Sequence, residues 1–306
     1  MTGLQVINPM KMLVTGYDGF VGSHFCSAYG GIPLADHEGL VDMRDAGRLR
    51  SAVAALAPEA VLHLAAQSSI AQSFSDPMET LSINFLGTFN LLQALSAAGF
   101  QGVLVYVGSA DVYGKVSEAE LPVRETHPLR PRSPYAVSKA AAEALCYQWS
   151  QTESFRIVLT RPFTQIGPKQ DSRFAIAGFA RQIVKIRRGG RPPVLVTGDL
   201  DVTRDFTDVR DAVRAYQLLL EGGENGEVYN ISSGRERTLR SLAVRLLEIA
   251  GVEAELKMDA ALLRAAEQRR MVGESTKIKE RLGWVSEIPM DKTLTDLLNE
   301  MERHSF

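Results

Sequence analysis

Apolar and polar positions change period along the chain. Short apolar, mostly β-branched runs recur at 12–15, 61–64, 103–107 and 156–160, on consecutive rather than alternate positions, as in strands buried on both faces. Stretches 20–29, 48–57, 78–98 and 134–151 carry apolar residues at helical spacing between them. Strand then helix, repeated, predicts right-handed crossovers and an α/β fold, a parallel sheet with helices on both faces.

Beyond Arg161 the alternation breaks down. Pro162, Gly167, Pro168 and the GGRPP run at 189–193 punctuate loops around an amphipathic stretch, 175–188. A helix is expected at 208–220, and 227–231 reads as one more strand able to rejoin the sheet. The tail gives a helix at 239–250, a strand at 253–257 and two further helices. No repeat or linker interrupts it, so a smaller C-terminal α/β lobe is expected. Residues 11–163 with about 206–231 form the first unit, and 164–205 with 232–306 the lobe.

Composition narrows the class. The chain has 306 residues, 45% of them hydrophobic and 23% charged, with a formal net charge of −2. That is enough for a sizeable core, and the near-neutral balance offers no footprint for nucleic acid or an anionic membrane. Cys26 and Cys146 can build neither a disulfide framework nor a clustered metal site, so no metal is expected. No apolar run approaches the roughly 20 residues of a membrane span, and the N-terminal stretch lacks a signal pattern. A cytoplasmic protein is expected.

Gly16, Gly19 and Gly22 follow the first strand and open the first helix. The first glycine permits a positive φ, the second lets a pyrophosphate approach the backbone, and the third lets helix pack on strand. The helix N-terminus adds unpaired N–H groups and a positive dipole end. Asp36, about 20 residues on, is placed to accept both hydroxyls of an adenosine ribose, which favours NAD. Asp42 is a second candidate, for the adenine. His37 and Arg44 suit a 2′-phosphate instead, so NAD and NADP both stay open.

SPYAVSKAAAE sets Tyr135 and Lys139 one turn apart at a helix start, with Pro134 at the first helical position and Ser133 as cap. A phenol beside an ammonium suits proton transfer to a carbonyl oxygen as hydride reaches its carbon, because the cation stabilises the phenolate. Alone, the pair fits an ordinary surface helix better; following a dinucleotide turn inside a strand–helix alternation, it points to this chemistry. Ser109, just past the strand 103–107, can hydrogen-bond the same oxygen from the open carboxyl edge of the sheet.

Together these residues resemble the extended short-chain dehydrogenase/reductase family, whose members modify nucleotide sugars on a Rossmann-type fold. The likeness runs through TGxxGFVG at 15–22, HLAAQSS at 63–69, INFLGTFNLLQA at 83–94, GSADVYG at 108–114, YxxxK at 135–139, RPF at 161–163, TRDFTDVRD at 203–211 and GESTKIKERLGW at 273–284. It implies that Asn84 organises a proton relay with Ser109, Tyr135 and Lys139. Cofactor contacts are implied from Gly16, Gly19, Phe20, Val21, Gly22, Asp36, Asp42, Met43, Leu64, Ala65, Ala66, Val107, Tyr135, Lys139 and Pro162. For the substrate it implies Ser68, Thr164, Gln165 and a diphosphate clamp of Arg204 with Arg264, for which Arg269 and Arg270 are rivals; bidentate guanidinium–phosphate bonding suits that task.

Within the family, GDLDVTRDFTDV and AEQRR are most similar to members that use NAD(P)H to reduce the C4 ketone of GDP-4-keto-6-deoxy-D-mannose to GDP-D-rhamnose. GDP-mannose 4,6-dehydratases are the nearest alternative. They carry glutamate as the C5 base where this chain has Asp111, whose carboxylate falls short by roughly an ångström, a displacement that costs about 100-fold in rate. A catalytic Asp111 remains open. The pair after RPF is Thr164-Gln165 rather than the usual Asn-His, which leaves room for a GDP-6-deoxy-4-keto-heptose. Family members commonly pair through the helices at 78–98 and 134–151, so a homodimer is expected. A cofactor-sensing regulator without chemistry is the alternative of another class.

Overall fold

Leu13, Val61 and Leu104 face one layer of helices, and their neighbours Val14, Leu62 and Val105 face the other. That division follows from the two-residue period of a strand, and it explains why these runs are apolar throughout. The computed structural model describes residues 10–263 and 268–303. In chain order, β1 (Met12–Thr15), α1 (Phe20–Tyr29) and β2 (Ile32–Pro33) precede a small hairpin of β3 (Ala35–Asp36) and β4 (Gly39–Leu40), then α2 (Ala46–Leu56) and β5 (Ala60–His63). Next come α3 (Ile70–Ser75), α4 (Pro77–Leu81), a π-helical turn (Ser82–Leu86), α5 (Gly87–Ala97), β6 (Val103–Val107), α6 (Pro134–Thr152) and β7 (Arg156–Pro162).

The remainder comprises β8 (Thr164–Ile166), α7 (Ala175–Arg187), β9 (Val194–Thr197), β10 (Thr203–Asp208), α8 (Val209–Gly222) and β11 (Val228–Ile231). It ends with β12 (Glu236–Thr238), α9 (Leu239–Ala250), β13 (Glu255–Met258), α10 (Thr276–Leu282) and α11 (Met290–Arg303). The main sheet has the order β11-β7-β6-β5-β1-β2, parallel throughout. Strand order reverses beside β1, which opens a crevice at the carboxyl edge where such sheets receive ligands. The expected strand at 227–231 does rejoin the sheet, as β11 beside β7.

One face of this sheet is covered by α1 and α8, including Phe25, Tyr216 and Leu219, and the other by α2, α5 and α6, including Leu49, Leu91 and Cys146. A separate apolar core joins α7, α9 and α11 around Phe206 and Leu195. Two smaller sheets accompany it, β12-β10-β8 and β13-β9. Strands β8, β10 and β12 escape a reading by apolar runs, because they are short and rich in Thr, Arg, Asp and Glu.

The stretch 78–98 departs from the expected single helix. It is α4, a π-helical turn and α5. The widened turn is held by side chains: Thr88 Oγ1 donates to the Asn84 carbonyl at 2.7 Å, and His63 Nε2 lies 2.9 Å from that hydroxyl. Such turns interrupt α-helices most often at functional sites.

Candidate active site

The glycine turn closes tightly. Gly16 has φ +69°, the left-handed region that favours glycine, and its carbonyl accepts from Gly19 N at 3.1 Å. A Cβ on Gly22 would stand 2.1 Å from the Gly16 carbonyl oxygen, so the third glycine packs the helix against the turn itself. Gly19 caps α1 with no side-chain hydrogen bond, leaving the first-turn amides of Phe20, Val21 and Gly22 facing the crevice without a side-chain cap. A cradle with these amides and no side chain at its centre fits a pyrophosphate.

Behind the turn, Thr15 Oγ1 accepts from the amides of Leu64 and Ala65, both at 3.1 Å. Its own proton therefore goes to His63 Nδ1 at 2.7 Å, so His63 carries its hydrogen on Nε2 and donates to Thr88. Burial drops the His63 imidazole to about 3 and keeps it neutral. Because Thr15 occupies those two amides, contacts from Leu64 and Ala65 to a cofactor fall to their other atoms.

At the adenosine end Asp36 is engaged by Arg48, Nε to Oδ2 at 2.8 Å and Nη2 to Oδ1 at 2.7 Å, and it also accepts from Glu38 N. The Arg48 hydrogen bonds hold its carboxyl down at about 2. Asp42 is held by Arg44, which also reaches both carboxylate oxygens of Glu79 at 2.9 Å. Met43 is buried between them and Gly87. The Asp36–Arg48 pair was not legible in the sequence, where the twelve-residue separation gives no signal.

Ser133 caps α6 by accepting from Ala136 N, with Pro134 following, so Tyr135 and Lys139 enter the first turns of a well-anchored helix. Tyr135 and Ser109 are both buried, with the Ser109 hydroxyl close enough to act on the Tyr135 phenol. Ser109 Oγ also accepts from Asp111 N at 3.2 Å, capping the short 3-10 turn Ala110–Tyr113. Burial, then the Asp111 carboxylate, push the Tyr135 phenol up, and the Ser109 bond opposes them. The expected depression by Lys139 is not what the structure shows. Lys139 Nζ donates instead to the Val107 carbonyl at 2.8 Å, since a buried ammonium requires an acceptor and the end of β6 offers one. Burial lowers this lysine to about 8.

Asn84 braces this pair from behind. Its Oδ1 accepts from Gln67 N at 2.8 Å, and its Nδ2 donates to Gln67 O and to Ser138 Oγ. Ser138 Oγ in turn donates to the Tyr135 carbonyl at 2.7 Å, so the π-helical turn is tied to the backbone of the tyrosine.

The lobe presents the remaining candidates. Arg204 stands directly opposite Arg237 in the β10–β12 ladder. Arg204 Nη1 donates to the Thr203 carbonyl at 2.7 Å. Arg237 was missed by sequence reading, since its short strand carries no motif. Arg269 is mostly exposed and pairs with Asp199, whereas Arg270 pairs with Glu236 and Glu118. Arg264 lies outside the described residues. Ser68 and Thr164 are exposed, Pro162 ends β7, and Gln165 is half-buried with Nε2 donating to Tyr216 Oη at 2.6 Å.

The GDP-mannose 4,6 dehydratase family is matched over residues 37–297. The chain belongs to that family. GDP-6-deoxy-D-mannose reductase of Pseudomonas aeruginosa is 44% identical over 299 residues, 95% of this chain and 97% of that protein. The structure of RMD from Pseudomonas aeruginosa complexed with NADPH superposes with a TM-score of 0.91 at 44% identity, covering 96% of this chain and 99% of that one. UDP-glucose 4-epimerase from Thermotoga maritima with UDP-glucose gives 0.87 at 28% identity, covering 96% and 99%. The fold of this GDP-mannose 4,6 dehydratase family member is therefore the Rossmann-like fold of the extended short-chain dehydrogenases/reductases. Its glycine turn precedes the matched residues, so the pyrophosphate cradle rests on the geometry of residues 16–22. Among the described residues no helix is long and apolar enough to cross a membrane.

Proposed function

We propose that the protein is an NAD(P)H-dependent oxidoreductase that reduces the C4 ketone of GDP-4-keto-6-deoxy-D-mannose to GDP-D-rhamnose. One observation carries the reading: a buried phenol, protonated at neutral pH, lies within reach of the buried Ser109 hydroxyl at the carboxyl edge of the sheet, one helical turn from the buried Lys139. A tyrosine protonated at neutral pH has a proton to give the ketone oxygen, as reduction requires. The 44% identity to a protein named GDP-6-deoxy-D-mannose reductase supports the substrate, and the NADPH-bound RMD structure supports NADPH as cofactor.

The Rossmann unit, 11–163 with 206–231, holds the dinucleotide on the amides of 20–22, and the lobe, 164–205 with 232–306, holds the GDP-sugar. The nicotinamide supplies hydride to the ketone carbon. Ser109 orients the ketone oxygen and Tyr135 delivers the proton. Lys139, turning from Val107 to the nicotinamide ribose, places its charge beside the phenolate left behind. Arg204 and Arg237, opposite each other in the β10–β12 register, would hold the diphosphate through their guanidinium groups. Asp111 raises the phenol and so keeps it protonated.

The fold also carries dehydratases, so the decisive assay pairs two incubations. NADPH oxidation with GDP-4-keto-6-deoxy-D-mannose, the product configuration assigned by NMR, is the expected result. Appearance of a 4-keto product from GDP-mannose alone would establish the dehydratase instead. A GDP-6-deoxy-4-keto-heptose belongs in the same substrate panel.

The protein acts as a homodimer. Of the residues expected at the seam, Leu92 is buried under the sheet, and the outward apolar surface is Met78, Leu86, Val137 and Tyr147, with Phe74 beside them. Burying such a patch against a second copy suits a symmetric helix pairing. A monomer by light scattering at micromolar concentration rejects it. The reaction belongs in the cytoplasm, where thiols such as Cys26 and Cys146 stay reduced.

A further inference from the structure

Gln165 occupies the place where its sequence departs from the Asn-His pair of the family pattern, and its surroundings are unusual. Its backbone is fixed on both sides: it pairs with Thr207 across the β8–β10 ladder, and Gln170 Nε2 donates to its carbonyl at 2.9 Å. Its side chain is fixed by Tyr216, a fully buried phenol on α8 that receives Gln165 Nε2 at 2.6 Å. The amide oxygen, Oε1, is buried and has no hydrogen-bond partner. Turning the carboxamide over would only exchange the orphan, leaving an NH2 group unpaired. An unpaired buried amide atom is costly, and native structures retain one chiefly where a partner arrives later.

The position indicates which partner. β8 follows β7 after a single residue, Phe163, so Gln165 stands just past the carboxyl edge of the sheet. The Tyr135 phenol lies within electrostatic reach of that of Tyr216, so the Gln165–Tyr216 pair is on the same side of the sheet edge as the reacting centre. A dinucleotide anchored at Gly19 runs across this edge toward β7, and its nicotinamide end carries an amide with two N–H donors and no protein group yet assigned to it.

We infer that Gln165 Oε1 accepts an N–H of the nicotinamide carboxamide, and that Tyr216 is the positioning residue that holds Gln165 in the accepting orientation. The pair thereby fixes the rotation of the ring and the face that it presents to the ketone. This rests on the dinucleotide reading above, but on neither the sugar nor the reaction.

The test is binding, not turnover. Dissociation constants are measured by calorimetry for NADP+ or NAD+, whichever is tighter, and for its 3-acetylpyridine analogue, in which a methyl group replaces the amide nitrogen. The wild-type protein is expected to prefer the carboxamide by about tenfold, the worth of one buried hydrogen bond. Gln165→Leu is expected to bind both forms alike, and Tyr216→Phe to lose most of the preference, with folding checked by thermal melting. Because the wild-type comparison needs no variant, poor folding of either substitution leaves the test intact. Equal wild-type affinities overturn this inference alone, whereas no dinucleotide binding at all overturns the reading beneath it as well. A preference unchanged in Gln165→Leu, with a raised KM for the sugar, assigns the oxygen to the substrate and overturns the inference too.

Discussion

Lys139 Nζ donates to the carbonyl of Val107 at 2.8 Å, although its helical position places it one turn from the Tyr135 phenol. Burial lowers this lysine to about 8. Below that pH it carries the charge that stabilises the phenolate formed when Tyr135 gives up its proton, and above it the charge is lost. We expect kcat for reduction to fall as pH rises through about 8, read from a pH–rate profile. A rate that stays flat well into the alkaline range would remove Lys139 from the proton-transfer step.

Tyr135→Phe removes the donor and leaves the burial of the ring intact. The expected loss is about 10²- to 10⁴-fold in kcat with KM little changed, because the hydroxyl acts in the transition state. Steady-state kinetics on the 4-keto sugar distinguishes this from a binding role, which would move KM instead.

Gly22→Ala drives a methyl group to 2.1 Å from the Gly16 carbonyl, where backbone rather than a yielding side chain must move. We expect about 3 kcal/mol of lost stability in urea unfolding, with dinucleotide binding weakened as the turn opens. At Gly19 the corresponding contact is 3.1 Å to the same backbone oxygen, which must give by only a few tenths of an ångström. Gly19→Ala should therefore cost less stability than Gly22→Ala, while its methyl group beside the first-turn amides weakens dinucleotide binding.

His63 supplies a stability test. Its folded value of about 3 lies far below the ordinary 6.5, so between those limits the unfolded chain binds a proton that the native state refuses. Stability is therefore expected to fall as pH drops from about 6.5 towards about 3, at no more than roughly 1.4 kcal/mol per pH unit from this group. In His63→Gln the acid slope of the unfolding free energy, from urea titrations at several pH values, should be shallower by up to that amount. An unchanged slope would mean that the imidazole does not stay neutral on folding.

The main sheet and its glycine turn were legible because they depend on neighbours in sequence. Consecutive apolar residues at 12–15 or 103–107 admit few solutions other than a strand covered on both faces, and a cap followed by proline fixes where α6 begins. The site was legible only as far as its types and spacing. Asp36 read as a free ribose acceptor because nothing in the sequence announces Arg48 on the next helix. Lys139 read as the partner of Tyr135, whereas a strand-end carbonyl took its ammonium.

The sequence by itself determined the parallel α/β layering, the placing of Gly16, Tyr135 and Lys139 at element ends, and the near-neutral formal charge. Only the tertiary structure decided the π-helical turn at Asn84, the facing of Arg204 and Arg237, and the meeting of Gln165 with Tyr216 fifty-one residues on. The physical reason is range. Propensity, capping and periodicity act over one or two turns of chain, while the pairing of buried polar groups depends on which strands and helices come together and leave a donor facing an acceptor.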